Sequence, residues 1–336
     1  MNRLRQLAVW ALCSTFCVPA VAAPPVAAPP VAAPPVAAPV LPAEPASQKL
    51  ELETSDGLAL WAWYYPVAAG VVPRATVILV HDLEGSHKTV EPLAKALQKV
   101  GFAVVTPDLR GHGASTSRSS PTGKTEVLDS NSLKRTELEA ISAAGGGSVR
   151  DQAAMRGDIE TVRNWIKRKS ETNELNLQRL CLIGSGSGAI LAANWTAADW
   201  NWLPIASGPQ GRQVKALVLI SPTWASKGLS FVPALATEGL KQSIPVMVLA
   251  GNTDRDNRDA MRVYDRLKSL RPQAWFEQRV GQEPAKAPKL EKAAEATVFF
   301  MQLDTALSAD KLAADRSANT AGRIQTFLSL VLDPSD

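Results

Sequence analysis

The chain has 336 residues, with 36 basic and 32 acidic side chains and a net charge of +4. That near balance argues against nucleic acid and acidic membrane as partners, and an apolar fraction of 46% supplies one sizeable core. The three histidines and three cysteines show neither paired-histidine nor Cys-x-x-Cys spacing, so no metal and no cofactor is expected.

Arg3 and Arg5, the apolar run Leu7 to Val18 and the small residues Ala20-Val21-Ala22-Ala23 have the pattern of an export signal over residues 1–23. The expected location is therefore periplasmic or extracellular, with association to a surface if the signal is kept as an anchor. Cleavage would take Arg3 and Arg5 and no acid, leaving 34 basic and 32 acidic side chains. Cys13 and Cys17 would leave too, so the mature chain cannot form an internal disulfide. Cys181 is expected as a small core residue. No later segment is apolar for long enough to be a transmembrane helix.

From Val21 to Val40 the unit Val-Ala-Ala-Pro-Pro repeats with a period of five. Proline cannot donate to a ladder and nothing large is present to bury, so residues 24–47 are expected to be a polyproline-II-like spacer. The folded domain is expected over 48–336. Leu50 and Leu52, the Asp56-Gly57 turn and the alternation from Leu58 to Tyr65 predict a hairpin. Thr76 to Val80 and Phe102 to Thr106 predict strands, with a helix between them on Val90, Leu93, Ala94 and Leu97. Ser115 to Gly147, rich in Ser, Gly and charge, predicts a flexible insertion. Met155, Ile159, Val162 and Ile166 mark the next helix, followed by a buried strand at Leu180 to Ile183 and a helix from Ala189. Val214 to Ile220, Ile244 to Ala250 and Thr297 to Met301 are further strands. Helices are marked by Met261, Val263, Tyr264 and Leu267 and by Ile324, Phe327, Leu328 and Val331. Gln282 to Lys292 predicts a loop. Strands apolar on both faces and alternating with helices imply a doubly wound, mainly parallel α/β sheet, with the N-terminal hairpin antiparallel at its edge.

The most informative stretch is Gly184-Ser185-Gly186-Ser187-Gly188, set between strand and helix. Its context is that of the G-x-S-x-G nucleophile elbow, but the middle position is Gly186. Glycine suits the strained backbone of that turn and has no side chain to attack a substrate. The spacing differs from Gly-x-Gly-x-x-Gly, so a dinucleotide loop is not expected.

Further segments carry a family resemblance. Val80-His81-Asp82-Leu83-Glu84-Gly85-Ser86 resembles the His-Gly oxyanion loop of α/β-hydrolases. Asp108-Leu109-Arg110-Gly111-His112-Gly113-Ala114-Ser115 resembles the Asp-x-Arg-Gly-His-Gly-x-Ser segment of their monoacylglycerol-lipase and serine-aminopeptidase branch. Gly251-Asn252-Thr253-Asp254 is similar to the turn that carries the acid of the triad. The resemblance implies the α/β-hydrolase fold and a site built from a serine, an acid and a histidine, in that chain order. Residue by residue, Gly186 stands at the vacated nucleophile position and Asp254 at the acid position. The histidine, expected around 303–307 after the last strand, is absent, since the chain's histidines are His81, His87 and His112. Asp82, Leu83 and Ser187 occupy the oxyanion-loop positions, and Asp82 replaces a glycine. A carboxylate facing the pocket would oppose a developing oxyanion.

The expectation is an exported protein of this fold that does not hydrolyse, but binds or scaffolds a small-molecule or protein ligand. The alternative is a serine hydrolase (esterase, lipase or peptidase) using Ser185 or Ser187 with His87 or His112 as base. His81 and His112 are expected to organise their loops. Of nine tryptophans, Trp61 and Trp63 on the hairpin and Trp195, Trp200 and Trp202 after the elbow are expected to pack in the core and at its edge.

Overall fold

The computed structural model describes residues 45–120, 122–144, 157–203, 210–252 and 254–333, with the backbone alone at 254–256 and 294. Residues 1–23, expected as an export signal, the expected spacer up to residue 44, and Met155 lie outside the described residues. In chain order the elements begin with β1 (Gln48–Glu53), β2 (Ala59–Tyr65), β3 (Thr76–Val80), α1 (His87–Lys99) and β4 (Ala103–Pro107). Next come β5 (Ser117–Ser119), β6 (Thr125–Val127), α2 (Arg135–Ile141), α3 (Asp158–Glu171), β7 (Leu180–Ser185), α4 (Gly188–Trp200) and β8 (Val214–Ile220). The third part holds β9 (Ala225–Ser226), β10 (Leu229–Ser230), α5 (Val232–Leu235), β11 (Val246–Ala250) and α6 (Asp254–Leu270). Last are β12 (Trp275–Gln278), β13 (Ala285–Lys286), β14 (Val298–Gln302), α7 (Ala309–Ala314) and α8 (Thr320–Leu332).

Ten strands form one sheet in the order β1-β2-β4-β3-β7-β8-β11-β14-β12-β13. From β4 to β12 all neighbours are parallel, while β1 on β2, β2 on β4 and β13 on β12 are antiparallel. The central strands are mostly apolar because both sheet faces are covered. In β3, Val77 and Leu79 pack with Val90, Leu93 and Leu97 of α1 and with Ile324, Phe327 and Leu328 of α8. Ile78 and Val80 of the same strand point the other way, into the layer of Ile159 and Val162 of α3, Ile190 and Leu191 of α4, and Val263 and Leu267 of α6. The period of two along each strand thus sorts side chains into two cores. Helix α4 runs straight from the elbow into the second core and is apolar on nearly all sides, as a fully enclosed helix must be. Trp195 is wholly buried there. No helix among the described residues is long and apolar enough to cross a membrane.

Two loops expected from composition contain structure. Within 115–144, β5 and β6 pair as a hairpin, and α2 follows with Leu138 and Ile141 buried. Three-residue strands are too short to show alternation, and sparse apolar side chains are supplemented by charge. Arg110, only 1% exposed, donates Nε and Nη2 to Asp158 Oδ1 at 3.0 and 2.6 Å. Its Nη1 reaches Asp56 and Glu137, both at 3.0 Å. Arg118 of β5 joins the same Glu137 at 2.9 Å. The hairpin turn, α2 and α3 therefore meet at one buried guanidinium, and β5 joins them through Arg118 on the shared Glu137. The second loop, 282–292, contains β13, which pairs with β12.

Candidate active site

The elbow forms as its sequence requires. Strand β7 ends at Ser185, Gly186 adopts the left-handed conformation with φ +56°, and α4 starts at Gly188. Gly186 N donates to Ile220 O at 2.9 Å, which ties the turn to β8. A β-carbon on Gly188 would run into the His81 carbonyl, so the oxyanion loop and the elbow touch backbone to backbone.

Asp82 does more than face the pocket. Its Oδ1 accepts from Leu83 N and from Ser187 N, each at 2.8 Å. These two N–H groups belong to the residues expected at the oxyanion-loop positions. The rest of the carboxylate covers Gly186: a β-carbon there would lie 2.5 Å from Asp82 Oδ2 and 2.7 Å from Oδ1. The side chain that a nucleophile would use is excluded by the acid that replaces the loop glycine. Burial raises the Asp82 carboxyl above the ordinary carboxylate range and the nearby Asp310 adds to this; the two N–H donors pull the other way without cancelling it.

Asp310, on α7, was not singled out by sequence. Its Oδ1 accepts from Asp82 N at 3.0 Å and its Oδ2 from the Thr89 hydroxyl at 2.5 Å. No local motif marks it, since it arrives from the far end of the chain and the contact is purely tertiary. Asp82, Glu84, Thr89, Asp310 and Lys311 line a cleft of about 390 Å³ beside the loop.

The remaining sequence candidates separate. Asp254 opens α6, but its side chain and all of Thr253 lie outside the described residues. The 303–307 loop does reach the acid turn: Asn252 N donates to Thr305 O at 3.0 Å and Asn252 Nδ2 to Asp304 Oδ1 at 2.7 Å. That is where a triad histidine is wanted, and the chain has none after His112. Ser185 is wholly buried and its hydroxyl has no partner among the described residues, and Ser187 contributes its N–H to Asp82.

The histidines are committed elsewhere. His81 Nδ1 donates to Asp82 O at 2.6 Å and Nε2 accepts from Leu109 N at 3.1 Å. His112 places Nδ1 2.8 Å from Arg110 O and Nε2 2.7 Å from Leu83 O. His87 sets Nδ1 2.8 Å from Asp108 Oδ1, and its ring stacks on Trp63 with centroids 3.3 Å apart. Burial raises the Asp108 carboxyl, but the bonds from His87 and Ala114 outweigh it and hold it below its usual range.

Full burial pushes His81 down from 6.5 to about 4, against a weaker upward pull from its bond to Asp82. Between those values the unfolded chain takes up a proton that the native state refuses, so stability is lost as pH falls through that window. Denaturant unfolding at stepped pH should show this slope. His81→Gln should lower stability overall yet flatten the slope, and an unchanged slope would assign it to other groups.

The profile of the Hydrolase_4 family (serine aminopeptidase, S33) matches residues 72–258. An uncharacterized protein of Mycobacterium tuberculosis is 36% identical over 79 residues, 24% of this chain and 28% of that protein. A thermostable monoacylglycerol lipase from a Bacillus species is 40% identical over 55 residues, 15% of this chain and 22% of the lipase. These matches thus span about a quarter of the relatives' own lengths. Among solved structures, an esterase of Pyrococcus furiosus superposes with a TM-score of 0.52 at 15% identity, covering 85% of this chain and 91% of the esterase. A thermophilic carboxylesterase cloned from a metagenomic library gives 0.52 at 13% identity, covering 88% and 90%. Strand order, elbow and oxyanion loop agree with the profile match: the chain belongs to the serine aminopeptidase S33 family and has the α/β-hydrolase fold.

Proposed function

We propose that this protein is an exported, catalytically silent member of its family that acts by binding a small-molecule or protein ligand. One observation carries the reading. The Asp82 carboxylate fills the place where a nucleophile's side chain and an acyl oxygen would meet, above a glycine at the nucleophile position. The missing histidine supports it independently, because a serine hydroxyl without a base is a weak nucleophile near neutral pH. The lipase and esterases similar to this chain make ester hydrolysis the activity given up. The cleft beside Asp82, lined by three carboxylates and Lys311, is the place for a ligand. Export rests on the leader composition of residues 1–23.

The test uses full-length protein on p-nitrophenyl esters, a monoacylglycerol and an aminoacyl p-nitroanilide, with fluorophosphonate labelling in parallel. Rates equal to buffer and no label are expected. Turnover abolished by Ser185→Ala or Ser187→Ala would overturn the reading. N-terminal sequencing of the periplasmic form should begin after Ala23, and a chain confined to the cytoplasm would remove the exported part.

A further inference from the structure

The expected oxyanion cradle of this protein already holds a carboxyl oxygen. Leu83 N and Ser187 N come from separate elements, one after β3 and one at the head of α4. Both point at Asp82 Oδ1, at 2.8 Å each. Convergent N–H donors at that range hold the charged oxygen of an acyl intermediate, and a carboxylate oxygen is close to it in charge and shape. The surroundings are shaped to this occupant. Gly186 leaves open the volume that the carboxylate takes. Asp310 holds the Asp82 backbone through its N–H, and Thr89 in turn holds Asp310.

We infer that the Leu83–Ser187 cradle is a carboxylate-binding site that the chain keeps filled with the side chain of Asp82, a tethered ligand that shuts out external carboxylates and acyl oxygens. The inference rests on the reading of the site as catalytically silent and gives its physical cause. A tethered group is present at an effective concentration that a free anion of the same chemistry does not match. The native cradle is therefore closed. Removing the tether without moving the two N–H groups should open it to an anion of the size removed. Asp82→Gly deletes a carboxymethyl group, which acetate replaces. Asp82→Ala deletes a carboxylate, which formate replaces. Asp82→Asn keeps a carbonyl oxygen that can accept from both N–H groups, so it should stay closed.

The experiment measures thermal midpoints of the full-length native chain and the three variants in sodium acetate, formate, pivalate and chloride at equal ionic strength. The Gly variant should be stabilised by acetate more than by formate, and the Ala variant by formate more than by acetate. Half-saturation is expected at roughly 1–100 mM, the range open to so few atoms. Pivalate should do no more than chloride. The native chain and the Asn variant should show no response beyond ionic strength. If a variant does not fold in chloride, its refolding yield in the matched anion is the readout, and recovery supports the inference. Folded variants indifferent to acetate and formate, no recovery on refolding, or an equal response from the native chain would overturn it. Those results would leave the silent-enzyme reading standing, whereas ester turnover by the native chain would remove that reading whatever the anions do.

Discussion

Replacing Arg110 with methionine is expected to lower folding stability by about 3–5 kcal/mol, the penalty for stranding a buried partner charge. Asp158 is the partner left behind. It is wholly buried, and it also accepts Arg110 N on Oδ2 at 2.7 Å. Among the described residues the guanidinium is the only cation paired with it, whereas Glu137 and Asp56 keep Arg118. Arg110→Lys should recover little, because an ammonium cannot serve Asp158 through two nitrogens and reach Asp56 and Glu137 as well. The double variant Arg110→Met/Asp158→Asn should be less damaged than the sum of its singles by about 1–3 kcal/mol, since neither charge is then stranded. Urea unfolding of the native chain, Arg110→Met, Arg110→Lys, Asp158→Asn and the double variant decides it. A single-variant loss under about 1 kcal/mol would mean that the network contributes no more than a surface ion pair.

How much of this could be read in the chain depends on the range of each interaction. Central strands such as Thr76 to Val80 and Val214 to Ile220 are legible because burial on both faces makes nearly every position apolar, Thr76 and the exposed Lys215 at their starts aside. The elbow and the Arg-Gly-His-Gly turn are legible because their backbone conformations demand particular residues at fixed spacing. Trp275–Gln278 is a sheet strand whose residues are only half-buried and include Glu277, so it carries no apolar run. The β5–β6 hairpin and α2 were hidden by composition, since a few buried leucines and one arginine hub hold a stretch that is otherwise polar. In the site, the vacancy at Gly186 and the substitution at Asp82 are both visible in sequence. That the second fills the first is not visible, because it depends on the side-chain direction of Asp82 and on Asp310 arriving from α7.

Gly186→Ser is expected to lower stability by about 2–4 kcal/mol, from the left-handed backbone it must adopt and the overpacking of its side chain against Asp82. It should create no esterase activity. Gly186→Ala should behave alike, because the clash begins at the β-carbon, 2.5 Å from Asp82 Oδ2. Asp82→Gly removes the obstacle. The double variant Asp82→Gly/Gly186→Ser should then be less damaged than the sum of its singles by about 1–3 kcal/mol. The backbone cost of serine at φ +56° remains in both arms of the cycle and cancels. The coupling therefore reports the contact between residue 82 and residue 186 alone. Additive losses would mean that the carboxylate moves aside at little cost, and Asp82 would no longer explain why position 186 is glycine. Kinetics on the same four proteins separate the two reasons for silence. In the double variant the new hydroxyl and both N–H donors are free, yet the 303–307 loop beside the acid turn still offers no histidine. Ester turnover by the double variant above buffer would locate the block in the carboxylate plug; its absence, with the stability coupling present, means that the missing base suffices even when the plug is gone.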